Sequence, residues 1–345
     1  TGHDLTGCIQ TVTGLIQPHE LGPTLMHEHL LWDIRTPAMQ ADPDQGPPLC
    51  PCTYFDINYG SVKSPNNLVF SDRKLAVEEV AAMKADGGAA IVELSVGGLK
   101  PDPEGLAEIS EATGVAIVMG CGHYVDEYQD PANRGRSADG FAAEMIGQLT
   151  DGAWGTTVRA GIIGEIGCQS PWTELEKTVM EGAITAMAET GAALNVHPGR
   201  DQNQPQEVAE FVAARGGDLS RVVLSHIDRT IADQDTLFRL ADTGSVIEFD
   251  LFGQEQSLYG LNLQFDLPND AICLRMIRQL IDRGHLDQIT ISHDICYRSR
   301  LKAFGGHGYG HIFRNVLPLM RRRRFTEAEI QRIMVETPRR LLTFV

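Results

Sequence analysis

The chain has 345 residues, 42% of them hydrophobic, which is enough for one large core or two average domains. Twenty-nine basic side chains against 46 acidic ones give a formal net charge of −17. A surface that acidic repels phosphate backbones and anionic lipid, which argues against nucleic acid and membrane as partners. A small anionic substrate stays admissible, because one arginine can dominate a pocket.

The chain opens on a predicted β-hairpin, Gly7–Val12 then Gly14–Gln17, placed to plug or flank whatever follows. After it, short apolar strands alternate with amphipathic helices. The predicted strands are Thr24–Leu30, Ala89–Val96, Val115–Gly120, Gly161–Ile166, Ala193–Val196, Val222–Ser225, Ser245–Asp250 and Gln288–Ser292. The predicted helices are Lys74–Asp86, Glu104–Thr113, Ala138–Thr150, Glu174–Thr190, Gln204–Arg215, Ala232–Thr243, Asp270–Arg283 and Thr326–Val335. Several are followed by a glycine, as left-handed C-caps require. Eight strand–helix units predict a closed (β/α)8 TIM barrel as a single domain over 1–345, with an open doubly wound sheet as the competing arrangement. Residues 33–73 form a long Pro-, Gly- and Asn-rich loop after the first strand. Loops of that length serve as lids, pocket walls or oligomer contacts, and the last would make a homodimer.

Seven cysteines, an odd number at irregular spacing, suggest free thiols in a reducing compartment, hence a cytoplasmic protein. No basic-then-apolar leader pattern opens the sequence, and no apolar run approaches the roughly 20 residues that span a bilayer.

His27-Glu28-His29 lies at the end of the first predicted strand. Residues i and i+2 of a strand share a face, so both imidazoles can reach one ion. Glu165 sits within an apolar strand, where an acid is costly unless paired or metal-bound. His197, His226 and Asp294 end the fifth, sixth and eighth strands. Each alone has a plainer reading: a core histidine, a helix cap, or an acid paired with a buried arginine. Together they bring ligand-type residues to one rim, where active sites of such barrels sit. Four imidazoles and two carboxylates suit Zn²⁺, Mn²⁺, Co²⁺ or Fe²⁺ better than Mg²⁺ or Ca²⁺, and their spread over five strand ends suits two divalent ions. Arg200 and Arg229 each follow a candidate ligand by three residues and are read as mouth arginines, free for an anionic substrate or paired with Asp201 and Asp228. Tyr124 and Tyr297 follow the third and eighth strands and are read as pocket residues.

These segments resemble the phosphotriesterase family of the amidohydrolase superfamily. The resemblance rests on Gly22-Pro-Thr-Leu-Met-His-Glu-His29, Gly161-Ile-Ile-Gly-Glu-Ile-Gly167, His197-Pro-Gly-Arg200, Ser225-His-Ile-Asp-Arg-Thr230 and Ser292-His-Asp294. Asp250-Leu-Phe-Gly253, Gly305-Gly-His-Gly-Tyr309 and Thr337-Pro-Arg-Arg-Leu-Leu-Thr-Phe344 resemble the phosphotriesterase-related branch, whose animal members are associated with N-acetyltaurine. The resemblance implies that His27, His29 and Asp294 hold a buried ion, that His197 and His226 hold a more exposed one, and that Glu165 bridges them. It implies hydrolysis by a hydroxide shared between the ions, with Asp294 taking the proton. Two departures count against phosphotriester hydrolysis: no histidine follows Asp250, and Arg229 replaces an acid. The expectation is therefore cleavage of a small N-acyl amino acid or N-acyl taurine-like amide. The alternatives are a lactonase or carboxylesterase, a phosphoester hydrolase on the same site, or a binding protein that has lost turnover.

Overall fold

The computed structural model describes residues 5–345; the first four residues of the hairpin-bearing stretch lie outside it. Eight strands pair in parallel in sequence order: β1 (Thr24–Glu28), β2 (Ala90–Glu93), β3 (Ala116–Cys121), β4 (Ile162–Gly167), β5 (Leu194–His197), β6 (Val222–Leu224), β7 (Val246–Phe249) and β8 (Ile289–Ile291). The circle closes where the Asp294 amide, just past β8, donates to the His27 carbonyl of β1 at 3.1 Å. Helices α1 (Arg73–Asp86), α2 (Pro103–Thr113), α3 (Ala138–Thr150), α4 (Glu174–Thr190), α5 (Gln204–Ala214), α6 (Gln234–Asp242) and α7 (Asp270–Asp282) follow the strands. The expected TIM barrel is therefore the fold.

Strand periodicity explains the two cores. Along a strand successive side chains face opposite sides, so each strand feeds both layers. Leu25, Ile91, Ile117, Ile163, Leu194, Leu224 and Ile247 face outward under the helices. Met26, Val92, Val118, Ile162, Val223 and Val246 face inward and fill the barrel.

The N-terminal hairpin, Ile9–Thr11 paired with Gly14–Ile16, is shorter than expected. It closes the lower end: Val12 donates to the Ile117 carbonyl at 2.9 Å, and Ile9 joins Leu341 and Leu342 in the interior cluster. The eighth helix corrects the sequence reading. It starts as expected, with a Thr326–Glu329 capping box, but runs on past Val335 through Leu342. A wide turn over Arg332–Glu336, in which the Thr337 amide bonds back to the Arg332 carbonyl, precedes Pro338. A similar wide turn over Ile312–Val316 precedes Pro318 in the helix Leu317–Arg322. Proline offers no amide, so each widened turn lets a helix continue where a normal ladder would break.

Residues 33–73 are not an unstructured loop. Trp32–Asp33 pairs antiparallel with Val69–Phe70 at its base, and short helices Pro37–Ala41 and Tyr54–Tyr59 lie within it. Among the described residues, no helix is long and apolar enough to cross a membrane.

Candidate metal centre and active-site cavity

The six predicted ligands converge at the C-terminal end of the barrel, through local irregularities in regular strands. Pairing register shifts between Leu25 and Glu28, around His27, and between Ile163 and Ile166, around Glu165. Such bulges re-aim a side chain without ending a strand. His226 and Asp294 adopt φ of 57° and 48°, a left-handed conformation that costs about 1–3 kcal/mol for such residues and persists where surroundings impose it. Gly164 has φ 108°, and a Cβ there would collide with the Asn195 carbonyl, so glycine is needed beside Glu165.

Glu165 is the hub. Its Oε2 lies 3.4 Å from His27 Nε2 and 3.2 Å from both His197 Nδ1 and His226 Nε2; its Oε1 lies 3.4 Å from His29 Nε2. Asp294 Oδ1 stands 3.1 Å from His29 Nε2 and 3.6 Å from His27 Nε2. The four rings and Glu165 are buried, while the Asp294 side chain is 15% exposed.

Each of His27, His29 and His226 anchors its other nitrogen. His27 Nδ1 donates to Glu248 Oε1 at 3.0 Å and His226 Nδ1 to Asp250 Oδ1 at 2.8 Å. His29 Nδ1 donates to Ser95 Oγ at 2.9 Å, which donates to Glu93 Oε1 at 2.6 Å. This is the outer support that metal-binding imidazoles carry, and it fixes which nitrogen faces inward. His27 with Glu248 and Asp250 also brings three ligand-type atoms together. There the nitrogen is Nδ1, already hydrogen-bonded to Glu248, so that grouping supports the rings rather than receiving an ion.

Two observations show that the cluster fits divalent cations. His27 Nε2 is buried and has no hydrogen-bond partner among the described residues, yet it points at Glu165. His197 Nδ1 and His226 Nε2 approach to 3.0 Å, each also beside Glu165 Oε2, an arrangement a shared cation satisfies. Protonation behaviour agrees. Burial would lower the ring pKa values of His29 and His226, but the Asp294, Glu165 and Asp250 carboxylates outweigh it and raise them to about 10 and about 9. The pocket thus attracts positive charge, which an ion would supply in place of protons. His197 goes the other way, to about 3, through burial and the neighbouring His226 and Arg229 charges that outweigh Glu165. Glu165 itself is held well below its usual range: burial opposes ionisation, and the surrounding imidazoles prevail.

Glu28, between His27 and His29, faces away from the cluster. Its Oε1 accepts from Ser292 Oγ at 2.8 Å, the His293 amide at 2.9 Å and His293 Nδ1 at 2.6 Å; its Oε2 accepts from the Ile295 amide at 3.0 Å. These bonds grip both neighbours of Asp294 and so set its position.

The cluster opens into a cavity of about 590 Å³, which His29, Glu165, His197, His226 and Asp294 all line. Its outer wall comes partly from the long loop, through Ile57, Asn58 and Tyr59, and partly from Leu258 to Leu261. The Tyr124 hydroxyl lies 3.4 Å from His197 Nδ1, and Tyr297 also lines the space. The two expected mouth arginines part company. Arg200 is half-buried in the cavity wall; its Nε donates to the Tyr259 hydroxyl at 2.7 Å, and no ion-pair partner lies within reach among the described residues. Arg229 also lines the cavity, but its donors are largely engaged by backbone. It is buried and ties down the turn after β5, donating to the Pro198 and Gly199 carbonyls at 2.8 and 3.0 Å. Asp228 does not pair with it but accepts from the Leu251 amide at 2.7 Å. The glycine-rich Gly305–Gly310 stretch is a packed turn: Tyr309 is buried and its hydroxyl donates to the His29 carbonyl at 2.5 Å.

Sequence reasoning missed Glu28, Glu93, Ser95, Glu248 and Asp250 as supporting groups. Glu93 and Glu248 carried the same signal as Glu165, an acid inside an apolar strand.

Residues 7–342 match the model of the phosphotriesterase family. The chain belongs to that family. A phosphotriesterase-related protein of Nematostella vectensis is 39% identical, over 98% of this chain and 99% of its own. The N-acetyltaurine hydrolase of Homo sapiens is 37% identical over 99% of both chains. Among solved structures, a resiniferatoxin-binding protein from Rhodobacter sphaeroides superposes with a TM-score of 0.91 at 34% identity, covering 97% of this chain and 95% of its own. This family member is a metal-dependent hydrolase.

Proposed function

We propose that the chain hydrolyses the amide bond of a small N-acyl amino acid or N-acyl taurine-like molecule, at a centre of two divalent ions. His27, His29 and Asp294 would hold one ion, His197 and His226 the other, with Glu165 between them. The donor set suits Zn²⁺, Mn²⁺, Co²⁺ or Fe²⁺. Bound there, such ions would make water a nucleophile at neutral pH and polarise the scissile carbonyl.

The protein's own groups do the rest. Asp294 is the carboxylate of the cluster most open to the cavity, so it is the group placed to take a proton from attacking water and return it to the leaving amine. The left-handed turn at Asp294, gripped by Glu28 on both sides, holds that carboxylate in place. Tyr124 and Tyr297 wall the reacting centre. Arg200 would meet the anionic end of the substrate with a guanidinium that has no ion-pair partner among the described residues.

The observation that carries this reading is a titratable cluster opening into a cavity whose Arg200 has no acidic partner among the described residues, in a chain 37% identical to an N-acetyltaurine hydrolase. The test is a screen of the metal-reconstituted protein over anionic N-acyl amides, lactones and phosphoesters. The anionic amides should give the highest kcat/KM. A neutral lactone or ester hydrolysed faster would replace this reading, and binding without turnover of any class would end it.

A further inference from the structure

The long loop that walls the cavity carries Cys50-Pro51-Cys52, which the hydrolytic reaction does not use. Cys50 Sγ and Cys52 Sγ lie 2.7 Å apart, inside ordinary sulfur contact and within about 0.7 Å of a disulfide bond length. Cys52 is exposed and Cys50 partly so, whereas Cys121, Cys168 and Cys273 are buried. Pro51 fixes one backbone dihedral between the two sulfurs, so little chain freedom separates them.

The surrounding contacts hold Cys50 still. Its amide donates to Thr53 Oγ1 at 3.0 Å, and its carbonyl accepts from the Thr53 and Tyr54 amides at 3.0 and 2.8 Å. Thr53 Oγ1 also stands 3.3 Å from Cys50 Sγ. The helix that starts at Tyr54 is the one whose Ile57, Asn58 and Tyr59 line the cavity. It is anchored to the far side of the mouth: the Tyr54 hydroxyl donates to the Ser299 carbonyl at 2.9 Å, and Ser299 Oγ donates to Asn58 Oδ1 at 3.0 Å.

We propose that Cys50 and Cys52 form a thiol–disulfide exchange site that reacts with low-molecular-weight disulfides of the glutathione class. The Cys50 thiolate attacks one sulfur of the small disulfide; a Cys50–S bond forms and one thiolate leaves. The Cys52 thiolate then attacks Cys50 Sγ and expels the second thiolate. The net change is one protein dithiol and one small disulfide giving one protein disulfide and two small thiols. The roles follow from the setting. The Cys52 thiol and the Thr53 hydroxyl lower the Cys50 thiol to about 7, so it is the attacking group near neutrality, while Cys52 is raised and acts second. Closing this small ring fixes the root of the helix that walls the cavity.

The test uses the full-length, metal-loaded chain in buffers of oxidised and reduced glutathione, read by intact mass and peptide mapping. The wild type should lose about 2 Da, the two thiol hydrogens, within the peptide that holds both cysteines, and regain them on reduction. C52S should instead retain one glutathione on Cys50, and C50S should react more slowly at Cys52. Retention of glutathione by the wild type without ring closure would overturn the proposal. So would a wild type that stays unmodified while the unfolded chain reacts, or oxidation that links other cysteines.

Discussion

The same eight strands end in opposite chemistry at the two mouths of the barrel. At the N-terminal end Ile9, Leu21, Leu341 and Leu342 seal the interior with apolar side chains from the hairpin, the turn that follows it and the last helix. At the C-terminal end four buried imidazoles and two carboxylates sit within a few ångströms, braced by Glu28, Glu93, Glu248 and Asp250. The lower end gains stability from burial. The upper end concentrates desolvated charge, which is expensive unless ions and exact partners complete it. The contrast teaches that stability and reactivity are carried by different halves of one barrel, joined by strands whose inward residues change from Met26 or Val118 to His27 or Glu165 within a few positions.

Chelation should separate the ends most sharply. Stripping divalent ions is expected to abolish hydrolysis, with Zn²⁺, Mn²⁺ or Co²⁺ restoring it, and elemental analysis should find about two ions per chain. Full activity in a preparation with only trace metal would remove the proposed centre. Next in size is Asp294→Asn, expected to cost at least ~10²-fold in kcat when assayed at metal concentrations that keep the ions bound; near-normal turnover with the ions bound would move the proton to another group. At the lower end, Ile9→Ala should cost about 2–5 kcal/mol in unfolding experiments, with metal content kept. A matching loss of metal would show that the two ends are not independent. Arg200→Met should reduce kcat/KM for an anionic amide by roughly 10- to 150-fold, mostly through KM, the equivalent of about 1.5–3 kcal/mol. An equal loss on a neutral ester would make Arg200 a support of the rim. Smallest is Glu248→Gln, whose loosened hold on His27 should weaken metal affinity by about 10- to 100-fold, measured by competition with a chelator. Unchanged affinity would leave Glu248 as a buried acid without a share in the site.

The barrel was legible because strand and helix periods differ and each was repeated eight times. The six clustered residues were legible because histidines and acids at strand ends are chemically out of place in apolar runs. Contacts across strands were not. Glu248 meets His27, and Glu28 meets His293, only because of where the register shifts fall, which no local pattern records. The carbonyls of Pro198 and Gly199 that take up the Arg229 donors were equally invisible in the sequence, although its place at the cavity was not. The last helix was cut short because Thr337-Pro338 reads as a breaker, and only a widened turn lets the chain pass it.

Glu28 ties the first strand to the residues on both sides of Asp294, more than 260 positions later, at hydrogen bonds of 2.6–3.0 Å. In the proposed centre, His27 and His29 could therefore not share an ion with Asp294 until strand β1 and the segment after β8 have met. Such a long-range contact forms late and slowly compared with local ones. A nascent or truncated chain would hold Glu165, His197 and His226 but lack the geometry for a complete centre. On the proposed ligand set, metal capture would follow closure of the barrel, and an ion lodged there would in turn resist the barrel's reopening at that seam.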